Sequence, residues 1–152
     1  MAAQYLAEGL LGGDRCVYIG ESRGAMRRLH EALAAMKVDA DAATARGALV
    51  ELTQDQFYLT DGRFDIDAVL ARIESVIIAA LDGGFAGVRG CADMSWLLRG
   101  DDGSQQVFEY EARINDFLRG RPVQALCQYD WRRMPPATIR GALITHPVSI
   151  SR

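Results

Sequence analysis

Four short β-rich runs constrain this chain more than any other feature: "RCVYIG" (15–20), "ALVELT" (48–53), "FAGVRGCAD" (85–93) and "PVQALCQYD" (122–130). Between them lie segments whose apolar residues recur at helical spacing. Strands separated by helices cannot pair as hairpins, because each crossover returns the chain to the same end of the sheet; they make parallel βαβ units. The pattern predicts strands near 15–20, 48–53, 86–92 and 122–129, with helices on both faces. The expected fold class is α/β, a three-layer sandwich with a mainly parallel sheet.

Punctuation sharpens the assignment. Residues 2–11 read as a helix closed by Gly12-Gly13, and Ser22 is placed to cap a second one carrying Met26, Leu29, Leu33 and Met36. A short helix is expected over Asp41–Arg46. Asp65 caps the clearest helix, in which Ile66, Val69, Leu70, Ile73, Val76, Ile77, Ala80 and Leu81 fall on one stripe before Gly83-Gly84. Helix is also expected over 105–118, with Glu109 and Arg113 as a pair one turn apart, and over Pro136–Ile144. Residues 54–64 read as a loop with an Asp-Gly turn, and "PVSI" (147–150) as a last edge strand.

The 152 residues suit one domain, 1–152, with no internal repeat and enough chain to bury a core without staples. A net charge of −3 gives no reason to expect direct nucleic-acid binding. The late arginines Arg119, Arg121, Arg132, Arg133 and Arg140 read as solvated surface. Cys16, Cys91 and Cys127 lack paired spacing, so buried reduced thiols are expected rather than disulfides. No signal-like N-terminus and no run of membrane-spanning length is present, which predicts a cytoplasmic protein with no membrane contact.

In open parallel sheets ligands bind beyond the carboxyl ends of the strands. Here those ends are Gly20-Glu21-Ser22, Asp93-Met94-Ser95-Trp96 and Tyr129-Asp130-Trp131. A phosphate loop needs Gly-Lys-Ser/Thr, and "GESRGAMR" (20–27) has no lysine; the only lysine of the chain, Lys37, lies at the far end of that helix. A standard ATPase is thereby disfavoured. Asp93 either caps the turn that follows it or contributes to a ligand site, while Met94 and Trp96 serve as a core plug or a pocket wall. Cys91, Asp93, Cys127 and His146 would converge only if their strands are neighbours, and no metal-ligand spacing supports them, so neither a metal nor a cofactor is expected. Cys127–His146 nucleophilic catalysis is disfavoured because Cys127 lies within a strand. Side-chain alternation puts Cys127 and Tyr129 on one face and Gln128 and Asp130 on the other. Tyr129 is expected in a pocket with Trp96, Asp130 against the Arg132-Arg133 turn, and Cys127 in packing.

In order along the chain, "EGLLGGDRCVYIGE", "ARGALVELT", "YLTDGRFD", "MSWLL", "FEYEARIND", "PVQALCQYDWRRMPP" and "THP" resemble the MEDS domain. This is the methanogen/methylotroph sensory domain, known from the regulator of dichloromethane metabolism. The resemblance implies a sensory module related to the RecA/KaiC-type core, commonly joined to DNA-binding or histidine-kinase modules. The family pattern falls on Asp93, Met94, Ser95 and Trp96, on Tyr110, Glu111 and Asn115, and on Cys127 to Asp130, with His146 and Pro147 closing it. Asp93 stands where glutamate is frequent. The family's usual first strand, of the form H-x-C-x-F-Y, has no counterpart before Met1-Ala2-Ala3. That implies a gap in the sheet, no phosphate cradle, and a homodimer or exchanged element covering the gap.

The resulting expectation is a non-enzymatic sensory or ligand-binding domain in transcriptional or two-component signalling. Its small-molecule ligand is assigned to Asp93, Met94, Trp96, Glu111, Asn115, Tyr129 and Asp130, and its output to a regulatory protein partner. The alternatives are a degenerate RecA/KaiC-type nucleotide-binding protein and an interaction module without a small ligand.

Overall fold

A computed structural model of the chain describes residues 1–150. Its central sheet has four parallel strands: β1 (Arg15–Gly20), β2 (Leu49–Thr53), β5 (Val88–Asp93) and β6 (Val123–Gln128), in the order β2-β1-β5-β6. Helices α1 (Ala2–Gly12), α2 (Arg23–Ala35) and α3 (Ala40–Ala45) cover one face. The other carries α4 (Gln54–Tyr58), α5 (Ile66–Asp82) and α6 (Val107–Leu118). This is the expected three-layer α/β arrangement, with the four expected parallel strands within a few residues of their places.

Ser22 and Asp65 cap as the sequence implies, and Asp39 caps the short helix, which starts one residue before its expected place. Ser22, Asp39 and Asp65 each accept a backbone N–H from the first turn of α2, α3 and α5. Four expectations need correction. Residues 54–64 are not a plain loop: Thr53 and Gln56 form a reciprocal capping box that starts α4. The short strands β3 (Leu59–Thr60) and β4 (Arg63–Phe64) then pair around Asp61-Gly62, both at positive φ as a two-residue hairpin demands. Residues 147–150 form no strand. They leave α7 (Pro136–Thr145) at His146-Pro147, with Val148 and Ile150 exposed. Arg113 reaches across to Asp67 on α5 at 2.5 Å instead of pairing with Glu109. No vacancy opens within the sheet: the four strands are contiguous, and a further strand could join only at β2 or β6.

The two faces are assigned by register. Cys16, Tyr18, Leu49 and Cys91 face α1–α3 and pack on Leu6, Leu10, Leu29 and Leu33. Val17, Ile19, Val88 and Ala92 face α4–α6. Beside the carboxyl end of β5 this second face is filled by an aromatic cluster. Trp96, fully buried, stacks on Tyr58 with centroids 4.9 Å apart. Phe64 lies 4.9 Å from Trp96 and meets Tyr110 edge-on at 5.6 Å.

Candidate ligand-binding site

Toward β6 the α4–α6 face is hollow, and its strand residues explain why. Val88 pairs with Val123, Gly90 with Ala125, and Ala92 with Cys127, so six residues sharing that face include no large side chain. Ile73, Ile77, Ile114 and Leu118 from α5 and α6 form the roof, and a cavity of about 730 Å³ remains between roof and floor. The segment leaving α7, from Ile144 to Val148, lines it on the side of the free edge of β6. Its lining is largely apolar, as in most small-molecule sites.

Polar groups converge at one end, where β6, α6 and α7 meet. Glu111 on α6 is only 2% exposed. One carboxylate oxygen accepts the Tyr129 hydroxyl at 2.5 Å; the other lies 3.3 Å from His146 Nε2. His146 Nδ1 faces the Ala142 carbonyl at 2.8 Å, so this nitrogen carries the proton and donates it. Asn115 donates to the Thr145 carbonyl and ties α6 to the end of α7. Gly141 on α7 lies directly against the Phe108 ring, where a Cβ would overlap it, which brings the two helices together. Burial pushes the Glu111 carboxyl above its ordinary range, opposed by the Tyr129 hydrogen bond and the neighbouring His146. Burial likewise raises the Tyr129 hydroxyl and the Cys127 thiol, and nearby Glu111 adds to both. Among the described residues, Glu111, Cys127 and His146 place one donor atom each within 4.8 Å of one another.

The residues singled out by sequence divide sharply. Glu111 and Asn115 line the cavity. Tyr129 shares the Cys127 face, as alternation requires, but lies outside the lining and reaches the site through Glu111. Met94 and Trp96 are fully buried in the aromatic packing and do not border the cavity. Asp93 accepts the Ser95 N–H at 2.8 Å, and Gln54 donates to its carbonyl, so it organises the turn after β5. Asp130 braces the following turn, but by accepting the Arg132 backbone N–H and not a guanidinium. Cys91 pairs in register with Leu126 and faces α1–α3, away from Cys127, so the set Cys91, Asp93, Cys127 and His146 is not brought together. Sequence reasoning left Cys127 as packing and His146 outside the site; both line the cavity. The signal for this hollow was available in part: small residues alternate along "GVRGCAD" and "VQALC".

The model of the MEDS family, the methanogen/methylotroph DcmR sensory domain, matches residues 1–147. The transcriptional repressor DcmR of Methylorubrum extorquens is 28% identical over 149 residues, which cover 96% of this chain and 52% of that protein. The chain therefore spans about half the length of this curated relative. No solved structure matches it.

Proposed function

This chain belongs to the MEDS family, and from that premise we propose that it is a non-catalytic sensory domain binding a small, largely apolar molecule between the sheet and helices α5 and α6. The observation that carries the reading is the largely apolar cavity of about 730 Å³ with the buried Glu111 in its lining. An apolar chamber gives affinity by burial, and a few fixed polar groups give orientation. The relationship to a transcriptional repressor supports an output in gene regulation. His146 and Asn115 both tie the polar end to α7, so a ligand that competes for Glu111 shifts α7 relative to α6. Leu143 and Ile144 on α7 are exposed and offer an apolar surface to an output partner. The ligand sits along the sheet face in this reading, with its polar contacts at the carboxyl end of β6.

Native mass spectrometry of the purified protein, beside a Gly90→Leu variant, tests it. A co-purified small molecule that disappears when the new isobutyl group fills the floor supports the cavity; a molecule retained by the folded variant sinks it.

A second reading concerns assembly. Among the described residues β6 is a free edge, and "VQALCQ" carries none of the lysines, prolines or inward charges that normally discourage strand addition. Pairing of β6 with β6 of a second copy about a two-fold axis would satisfy that edge. Sedimentation should then give a dimer that Leu126→Pro dissociates, and a monomer at every micromolar concentration would end this reading.

A further inference from the structure

We propose that Glu111, Cys127 and His146 form a binding site for a divalent transition metal, best matched by zinc, with its open coordination position facing the cavity. This deepens the ligand-binding reading and rests on the same chamber. The donor set is the first argument. A thiolate, an imidazole and a carboxylate suit zinc, while calcium and magnesium prefer oxygen alone. Three protein ligands leave the fourth tetrahedral position for a small molecule.

Geometry is the second argument. Zinc at about 2.0–2.3 Å from each ligand holds ligand atoms about 3.3–3.8 Å apart. The Glu111 oxygen and His146 Nε2 already stand 3.3 Å apart, and all three donors lie within 4.8 Å of one another. A small rotation of the Cys127 side chain closes the remainder.

The surroundings supply the third. His146 Nδ1 is committed as a donor to the Ala142 carbonyl, which leaves the Nε2 lone pair pointing at a carboxylate oxygen. Two lone pairs that face one another need a proton or a cation between them. The other Glu111 oxygen is held by the Tyr129 hydroxyl. A backbone carbonyl behind the histidine and a hydroxyl behind the carboxylate are the outer partners that orient metal ligands. On binding, the Cys127 thiol gives its proton to solvent and the sulfur coordinates the ion. Thiolate and carboxylate then neutralise its two positive charges, with Glu111 buried and Cys127 and His146 partly exposed. Tyr129 is a positioning residue here, since it touches Glu111 and not the ion.

Cobalt is the probe, because a cobalt thiolate site absorbs visibly. Chelator-treated, dialysed protein should take up one equivalent of cobalt with tetrahedral visible bands and a thiolate charge-transfer band, and zinc should displace it. Cys127→Ser should abolish the charge-transfer band, while Cys16→Ser and Cys91→Ser leave it intact. Tyr129→Phe should lower the affinity by about 10–100-fold and keep the spectrum, as expected for an outer partner. His146→Ala and Glu111→Gln should each cost more. Circular dichroism establishes that each variant is folded; if Cys127→Ser is not, Cys127→Ala and His146→Ala carry the test. Failure to take up cobalt or zinc, or a charge-transfer band that survives loss of Cys127, overturns the proposal. The two readings fail separately. A small molecule that stays bound to chelated protein overturns the metal as its anchor and spares the cavity. Metal bound stoichiometrically with no small molecule in either the parent protein or the Gly90→Leu variant supports the metal and removes the organic ligand.

Discussion

Gly9 and Gly90 probe the two faces of one sheet, and they have opposite meanings. Gly9 on α1 is pressed onto the strands: a Cβ there would come within 2.7 Å of Cys16 Sγ and 2.8 Å of Arg89 Cδ. At Gly90 on β5 the nearest atom to such a Cβ is the Gln124 carbonyl, at 3.9 Å. On the α1–α3 face a missing side chain permits close approach, and Leu6, Leu33 and Cys16 fill the layer to zero exposure. On the α4–α6 face a missing side chain leaves room. One sheet therefore has a face built for stability and a face with space for a guest, which the aromatic cluster borders through Tyr58 and Tyr110.

The largest expected effect tests how dry the closed face is. Burial raises the Cys16 and Cys91 thiols from 9.0 to about 12 each. Both are neutral in the folded protein while the unfolded thiols ionise from about pH 9, so stability is intact below that pH and is lost as pH rises through about 12. At about 1.4 kcal/mol per pKa unit, two such thiols cost on the order of 5 kcal/mol by about pH 11. Urea unfolding across alkaline pH should show this decline, and the Cys16→Ala Cys91→Ala variant should make it shallower, leaving the part carried by Tyr5, Tyr18 and Cys127, which burial also raises. An unchanged decline would assign it to other groups and weaken the contrast between faces.

Trp96→Ala comes next and removes the centre of the aromatic packing beside the open face. Removing a fully buried indole should cost about 3–5 kcal/mol, read as a shift in denaturation midpoint. A cost near that of a surface substitution would mean the indole is not packed as its burial indicates. Gly9→Val follows, at about 1–3 kcal/mol for overpacking the closed face. A neutral outcome would show that α1 can shift off the sheet, and the two faces would differ less than their geometry indicates.

How far the sequence discloses these features depends on whether each is local. The strand runs at Arg15–Gly20 and Leu49–Thr53 and the caps at Ser22 and Asp65 are written within a few residues, and they appear where expected. The capping box "TQDQ" is equally local and gives α4, although the glutamines and aspartate there read as loop. The hollow is a different kind of feature. It depends on Gly90 standing opposite Ala125 and Ala92 opposite Cys127, which only strand register creates. The strand-end rule drew attention to Asp93 and Trp96, whose side chains complete a turn and a core. Glu111 and Asn115 came from the family resemblance, because helical periodicity alone makes Glu111 one more charged residue on α6. Residues 147–150 alternate like a strand, yet they pair with neither edge of the sheet, and alternation without a pairing partner does not make a strand.

The smallest expected effect is also the most discriminating. Gly90 pairs with Val17 on one side and Ala125 on the other and has no positive φ, so its backbone already suits an L residue. Gly90→Ala therefore removes conformational freedom from the unfolded chain at no steric cost, a gain of about 0.4–1 kcal/mol. The added methyl enters the cavity and contacts no packed atom closer than 3.9 Å, so no repacking offsets the gain. Gly9→Ala carries the same chemical change and the opposite geometry, and it should destabilise because Cys16 and Arg89 must move. The pair isolates the difference between the faces from the intrinsic preferences of glycine and alanine. Thermal melts of the two variants should move in opposite directions from the parent. If both fall, the space beneath α5 and α6 is filled in solution by side-chain rearrangement; if both rise, α1 is not seated on β1 as closely as the geometry requires.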